Sequence, residues 1–376
     1  MIYLDYSATT PIGFEVLDTY NKTSKDFFGN PNSLHELGVK SKNLMNSATK
    51  QIAEILNVNT SELTYTGGAT MANNMALIGI AMHNHKKGKH IIVSKLEHPS
   101  IYAICNYLEG LGFEISYVEN DEEGLIDFEN LKKLIRSDTI LVSICAVNSE
   151  LGIRQPLKMI RQIIKKENPN TVFHSDMTQA IVKVSISMHD VDLATLTAHK
   201  IYGPKGIGLL YKSNNIGITP ILYGSGKENM LNPGTPALPL IVAFSKAIRL
   251  ATTDIEKRER FIERLNLKIV DALKKYNGVM INKTKYSIPH ILNISLRNIK
   301  AETFLHALEE YEIYISSNTA CSSAALSSSV IAVYNDKVRA SSTLRISLSH
   351  LTTTDEVNKF IHYFEEIYRK LSGLHN

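Results

Sequence analysis

Cysteine is scarce. The 376 residues carry three, Cys105, Cys145 and Cys321, and an odd, widely spaced set excludes a disulfide framework and offers no zinc-ligand pattern. A cysteine that matters here matters singly, as a thiolate. Long apolar runs are missing too: the longest, around Met75 to Met82, is far too short to span a bilayer. Met1-Ile2-Tyr3-Leu4-Asp5 lacks the cationic start and apolar core of a signal peptide, so a cytoplasmic chain is expected. Charge of one sign is equally sparse, with 41 Lys and Arg against 37 Asp and Glu, net +4, and no dense basic block. Neither direct nucleic-acid binding nor membrane attachment is expected from that balance. No fixed-period repeat and no long linker occurs. What remains is ordinary folded chain, 44% hydrophobic and 21% charged, long enough for a large core and two lobes.

Short β-rich runs alternate with longer amphipathic ones. Strands are expected at Leu63 to Thr66, His90 to Val93, Glu114 to Tyr117, Thr139 to Ile144, Thr171 to His174 and Leu193 to Thr195. Helices are expected at Leu34 to Leu56, Ala69 to Asn84, Ser100 to Leu108, Phe128 to Ile135 and Leu157 to Lys166. Such alternation favours an α/β fold, a mostly parallel sheet with helices on both faces. After Gly234-Thr235-Pro236 the texture changes to one long charged helical region, Leu240 to Lys275. Strands near Ile291 to Ser295 and Ile313 to Ser316 follow, then a last helix, Thr354 to Leu371, with Thr354 as N-cap. This part reads as a smaller α+β domain joined by the N-terminal dozen residues, giving a division into 13–250 and 1–12 with 251–376.

In open α/β sheets, ligands sit beyond the carboxyl ends of the strands. Five such places carry chemistry. Gly67-Gly68-Ala69-Thr70 runs from a strand into a helix, where glycines permit a tight turn and unpaired amides suit an anion; a plain strand-to-helix turn is the alternative. Asp176 ends a buried strand, with Gln179 nearby; a buried carboxylate wants a cation, and a protonated pyridine nitrogen is one, although capping a following helix would also explain it. Thr197-Ala198-His199-Lys200 leads into a glycine-rich turn, where desolvation would lower the Lys200 pKa for Schiff-base chemistry and Thr197 and His199 would share an anion; a surface loop is the alternative. The turn has no nucleotide phosphate-loop pattern. His98 follows the His90 strand, suited to stacking or proton transfer or to a structural role. Asn148, after the Thr139 strand, would bind a carboxylate or stabilise a turn. Finally, Cys321 stands among small polar residues, the setting of an exposed thiol, whereas Cys105 and Cys145 sit in apolar surroundings.

Together these motifs resemble the NifS/IscS-like cysteine desulfurases of the class V aminotransferase superfamily, nearly end to end. The similarity begins with Tyr3-Leu4-Asp5-Tyr6-Ser7-Ala8-Thr9-Thr10-Pro11 and Gly29-Asn30-Pro31-Asn32-Ser33-Leu34-His35. It continues through Gly68-Ala69-Thr70, Glu97-His98, Asn148-Ser149-Glu150-Leu151-Gly152, His174-Ser175-Asp176 and the Ala198 to Gly206 block, closing with Ala320-Cys321 and Leu344-Arg345-Ile346-Ser347. The resemblance implies a seven-stranded, mostly parallel sheet in the large domain, pyridoxal 5'-phosphate as cofactor and no metal. It implies that Lys200 holds the cofactor, Asp176 pairs with its ring nitrogen, Gln179 contacts its ring oxygen and His98 stacks on the ring. Ala69, Thr70, Thr197 and His199 would bind its phosphate, with Thr235 reaching in from the partner of a homodimer. Asn148 and Arg345 would hold the carboxylate of L-cysteine, and Cys321 would take its sulfur as a persulfide for an acceptor protein, serving iron–sulfur clusters, tRNA thiolation or a sulfur-containing cofactor. A selenocysteine lyase, an aminotransferase or lyase in which Cys321 is incidental, and a non-catalytic sulfur carrier are the competing readings. Met71, followed by Ala72, stands where the family commonly has an acidic residue, Asn232 where it has an arginine, and Ser349-His350 where it has a Gly-Arg pair; these changes bear on acceptor choice and rate, and the cation lost near the phosphate on cofactor retention and dimer contacts.

Overall fold

The structure is a computed structural model and describes residues 1–225, 230–317 and 326–373. In chain order the strands are β1 (Ile2–Tyr3), β2 (Leu63–Thr66), β3 (His90–Ser94), β4 (Glu114–Val118), β5 (Thr139–Ser143), β6 (Val172–Asp176), β7 (Leu193–Thr197), β8 (Gly208–Lys212), β9 (Val279–Asn282), β10 (Ile291–Leu296), β11 (Ile313–Tyr314), β12 (Ser316–Ser317) and β13 (Thr343–Ser347). Seven of them form one sheet in the order β2-β8-β7-β6-β5-β3-β4. Only β8 runs antiparallel to its neighbours, so β2 to β7 all end on one edge.

Residue alternation in these strands has a direct consequence. Ile92, Val142, Phe173, Ala194 and Leu209 face one apolar layer, and Ile91, Val93, Leu141, Val172, Leu193 and Leu210 the other. Both faces are therefore buried, as parallel sheets require. Helices Glu36–Leu56, Leu157–Glu167 and Leu238–Ala251 supply Ile52, Ile160 and Phe244 to the first layer. Helices Ala69–Asn84 and Pro99–Gly110 supply Met75, Leu77, Ile104 and Leu108 to the second.

The expected α/β alternation is present, with element ends displaced by a residue or two. The strand β8 was not expected; it starts at the glycine-rich turn and lies inside the sheet. The long helix read across Leu240 to Lys275 is two, Leu238–Ala251 and Ile255–Leu273, broken where Asp254 takes a left-handed φ of 56°. Thr353, not Thr354, caps the last helix, Thr354–Ser372: its hydroxyl accepts from the Glu356 amide while Glu356 returns the bond, a capping box. The expected Ile313 to Ser316 strand is divided between two sheets, β11 pairing with β1 and β12 with β13. The antiparallel sheet β12-β13-β10-β9 packs on its own apolar cluster, including Leu292, Phe304, Phe360 and Phe364. Among the described residues, no helix is long and apolar enough to cross a membrane.

One buried ion cluster ties a helix to the main sheet. Asp192 is 2% exposed and accepts from Arg161 at 2.6 Å and Lys165 at 2.7 Å, and from the Phe173 amide at 2.9 Å. Burial alone would raise its pKa, but the bonds from Lys165 and Arg161 hold it below the ordinary value. Asp192→Ala leaves both cations without their carboxylate and is expected to cost about 3 kcal/mol in urea unfolding at neutral pH. Because the folded-state pKa is the lower one, the difference from wild type should persist above the ordinary carboxylate value of 3.8 and fade as pH falls below it.

Candidate active site

The strand edge where β2 to β7 end opens into a cavity of about 810 Å³. The Gly67–Thr70 turn, His98, Asp176, Gln179, Thr197, His199 and Lys200 all stand on its wall. The geometry at the turn depends on glycine: Gly68 has φ 141° and a Cβ there would meet nothing within 4 Å. It begins the helix Ala69–Asn84 with no side-chain cap, so amides of the first turn remain for a ligand. Met71 fills in from the same turn, its sulfur accepting from the Gly67 amide at 3.1 Å.

Lys200 follows β7 on a single tight turn, Ala198–Lys200. Its amine donates to the Ser7 carbonyl. Burial, and then the nearby Arg345 cation, lower its pKa to about 8 against the opposing pull of Asp176 and Asp5. Near neutrality roughly a tenth of such an amine is neutral and nucleophilic. The neighbouring His199 is held down to about 4 by burial and by Lys200 and Lys205, so it faces the cavity uncharged. Its Nδ1 lies 3.1 Å from the Thr9 hydroxyl. Thr197 is buried and donates to the Ile207 carbonyl at 3.3 Å.

Asp176 is buried at the end of β6. One oxygen accepts from Asn73 at 3.0 Å, the other from the Thr178 amide at 2.9 Å. Asn73 also donates to Ser100 at 3.1 Å, and Ser100 reaches His98. The His98 Nδ1 accepts the Ser100 amide at 3.2 Å and caps helix Pro99–Gly110, which places the ring proton on Nε2. Burial lowers the His98 pKa, so its face is that of a neutral imidazole. Beneath it, burial pushes the Glu97 carboxyl up to about 8, and Glu97 accepts from Ser94 and from the Cys145 amide at 2.8 and 2.6 Å.

The remaining residues singled out by sequence lie differently. Asn148 is off the cavity wall: its amide donates to Leu96 O at 2.9 Å and Ser329 at 3.0 Å, and its oxygen accepts from Glu150 and Leu151. This is the turn-stabilising role. Arg345 is buried on β13 and paired with Asp5 at 2.9 Å, while it donates to Ser149 O at 3.1 Å. Its Nε has no partner among the described residues. Thr235 is exposed and away from this wall. Cys321 lies outside the described residues, but both anchors of its segment are defined. On one side Ser316 is opposite Arg345; on the other Ser327 donates to Glu150 at 2.5 Å and caps the helix Ser328–Tyr334. Both anchors are therefore fixed to the strand and turn that carry Arg345 and Asn148.

Asn73, Ser7 and Asp5 were not assigned a role by sequence. Ser7 and Asp5 sit inside the quoted Tyr3 to Pro11 motif, and that motif was their only signal. At the departures from the family pattern, Asn232 donates to Tyr65 O at 2.8 Å. Ser349 meets the Tyr202 hydroxyl at 2.5 Å, and the His350 ring stands edge-on to Tyr202 at 4.7 Å. No group of three or more acidic, histidine or cysteine residues that would hold a metal occurs among the described residues.

The family model for "Aminotransferase class-V" matches residues 2–360. The chain belongs to that family. It is 38% identical to the "NifS/IcsS protein homolog" of Lactobacillus delbrueckii subsp. bulgaricus, across 100% of this chain and 99% of that one. It is 36% identical to "Cysteine desulfurase IscS" of Dictyoglomus turgidum, across 98% and 95% respectively. Among solved structures, a "NIFS-LIKE PROTEIN" superposes with a TM-score of 0.92 at 33% identity, covering 99% of this chain and 100% of that one. A NifS-like protein from Rickettsia africae gives 0.88 at 32%, covering 98% and 99%. Class-V membership accounts for the α/β sheet and for its functional edge.

Proposed function

We propose that this chain is a cysteine desulfurase dependent on pyridoxal 5'-phosphate, converting L-cysteine to L-alanine and passing the sulfur to an acceptor protein. The observation that carries the reading is that Lys200 and Asp176, an amine lowered to about 8 and a buried carboxylate, share one cavity. Pyridoxal phosphate fits the donor set. Amides and hydroxyls of Gly68 to Thr70, with Thr197 and neutral His199, suit a phosphate; Asp176 suits a protonated ring nitrogen; and neutral His98 suits the face of an aromatic ring. The Thr178 hydroxyl, on the cavity wall and without a partner among the described residues, suits a polar ligand. When bound, the cofactor supplies an electron-accepting ring for charge that develops on the substrate's carbons.

The chain's own residues then divide the work. Lys200 would hold the cofactor through its amine and would move the proton at the substrate Cα. Asp176, fixed by Asn73 and Thr178, would hold a positive charge at the ring nitrogen, and Gln179 would meet the ring oxygen. Arg345 would pair with the substrate carboxylate, with Asn148 bracing the turn beside it. The Cys321 thiolate attacks the substrate sulfur: the S–S bond forms, the Cβ–S bond breaks, and the carbon keeps the electron pair and is protonated to L-alanine. The product on the protein is a persulfide. Thr235 completes the phosphate site from the partner of a homodimer, and the chain divides into 13–250 and 1–12 with 251–376. The acceptor belongs to iron–sulfur assembly, tRNA thiolation or sulfur-cofactor synthesis in the cytoplasm.

Purified protein incubated with L-cysteine and a reductant should release alanine and sulfide in equal amounts. Neither product, with cofactor bound, would overturn the assignment. For Arg345→Lys, charge against Asp5 is kept but the planar fork is lost; KM for L-cysteine should rise about tenfold with kcat little changed, the loss of roughly 1.4 kcal/mol in steady-state kinetics.

A further inference from the structure

Lys183 has no part in the chemistry above, yet its amine is buried beside it. The residue is 9% exposed and shares a second, small cavity of about 30 Å³ with Lys200. No carboxylate lines that cavity: its titratable groups are Tyr6, Tyr202, Arg258, His290 and His350 besides the two lysines. Burial holds the two imidazoles down to about 3 and about 4, so neither offsets nor adds charge near neutrality. Burial, Lys200 and Arg345 together lower Lys183 to about 7. The residue just before it, Val182, holds φ 57°, a left-handed conformation that costs a β-branched side chain roughly 1–3 kcal/mol and persists where the surroundings require it. A buried lysine without a carboxylate, following a strained residue, is a poor stability device.

Among the described residues its one hydrogen bond is specific. Lys183 Nζ donates to Gln179 Oε1 at 2.5 Å. The other end of that amide, Nε2, donates at 2.9 Å to the Ser7 carbonyl, the same oxygen that accepts from Lys200 Nζ. An amide's two ends have nearly the same shape, and only its partners decide which faces where. The Lys183 amine donates to the oxygen end and the Ser7 carbonyl accepts from the nitrogen end, so the N–H end faces Ser7 and Lys200.

Resting on the desulfurase reading, we propose that Lys183 is a positioning residue: with the Ser7 carbonyl it locks the Gln179 amide with its N–H toward the Lys200 side of the site. Without it the amide keeps only its Ser7 anchor, and a turn that brings its oxygen toward Lys200 becomes accessible; that change favours protonated Lys200.

The test is the pH titration of the absorbance band of bound pyridoxal phosphate in purified wild-type, Lys183→Met and Lys183→Arg proteins, with no turnover involved. Lys183→Met should move the midpoint upward by about one pH unit, a tenfold gain in proton affinity. Lys183→Arg, which keeps a charged donor, should stay near wild type. A midpoint unmoved in Lys183→Met, or moved equally in Lys183→Arg, overturns the proposal. Failure of both variants to fold also overturns it, since Lys183 would then be a structural cation. A wild-type protein that shows no such band instead overturns the desulfurase reading itself.

Discussion

Lys200→Ala is expected to lower alanine formation from L-cysteine by at least about a thousandfold, because one amine both holds the cofactor and moves the proton at the substrate Cα. Cofactor absorbance should change with it: pyridoxal phosphate should elute on gel filtration and no longer be fixed to the chain by borohydride. The protein should nonetheless fold. The amine contributes a hydrogen bond to the Ser7 carbonyl, but burial lowers its pKa from 10.5 to about 8, so the folded state resists a proton that the unfolded chain accepts. That resistance is a penalty at neutral pH, where the amine is protonated in both states. As pH rises from about 8 toward 10.5 the unfolded chain still binds the proton while the folded one releases it, and wild type recovers stability. Compared without cofactor, Lys200→Ala should therefore be as stable as wild type or more so at neutral pH, and lose that advantage through this window. Urea unfolding at several pH values checks the sign. A variant that retains turnover would detach Lys200 from the chemistry, and with it the desulfurase reading.

The alternation of β-rich and amphipathic runs made the parallel sheet legible, because strands buried on both faces are short apolar runs and their covering helices have a single apolar stripe. Lys200, Asp176 and the Gly67-Gly68 turn were legible for a related reason: each follows a strand, and strand ends define the functional edge. The strand β8 was not. Its Gly208 start extends a glycine-rich turn, and the close approach it needs, a Cβ there falling 2.8 Å from Gly68 Cα, is visible only in three dimensions. Nor was the break at Asp254, since a charged amphipathic pattern continues across it and a single left-handed residue leaves no periodic trace.

Within the site, the supporting partners come from afar. Asn73 reaches Asp176, Ser7 reaches both Lys200 and Gln179, and Asp5 reaches Arg345; none shares a local pattern with its partner. Asn148 shows the converse. Its position after a strand left a substrate carboxylate and a turn both open; its oxygen accepts from the Glu150 and Leu151 amides, and its amide donates to the Leu96 carbonyl and Ser329. Strand-end placement locates residues near the edge; it does not say which way they hydrogen-bond.

Cys321→Ser should reduce alanine and sulfide production by about a thousandfold or more while leaving the cofactor band intact, because a thiolate attacks sulfur and a serine hydroxyl neither ionises at neutral pH nor holds a second sulfur. The other two cysteines cannot substitute. Cys105 and Cys145 are buried, the second on the wall of the Lys200 cavity. Burial pushes the Cys105 thiol up to about 12 and the Cys145 thiol well above its ordinary value, so both remain protonated under assay conditions. The sequence has no fourth. Labelling with L-cysteine carrying ³⁵S, followed by non-reducing gel analysis, should place radioactivity on wild type and none on Cys321→Ser. Full desulfuration by Cys321→Ser would mean that sulfide leaves the substrate without a protein persulfide, and the chain would then be a lyase that has no need of an acceptor.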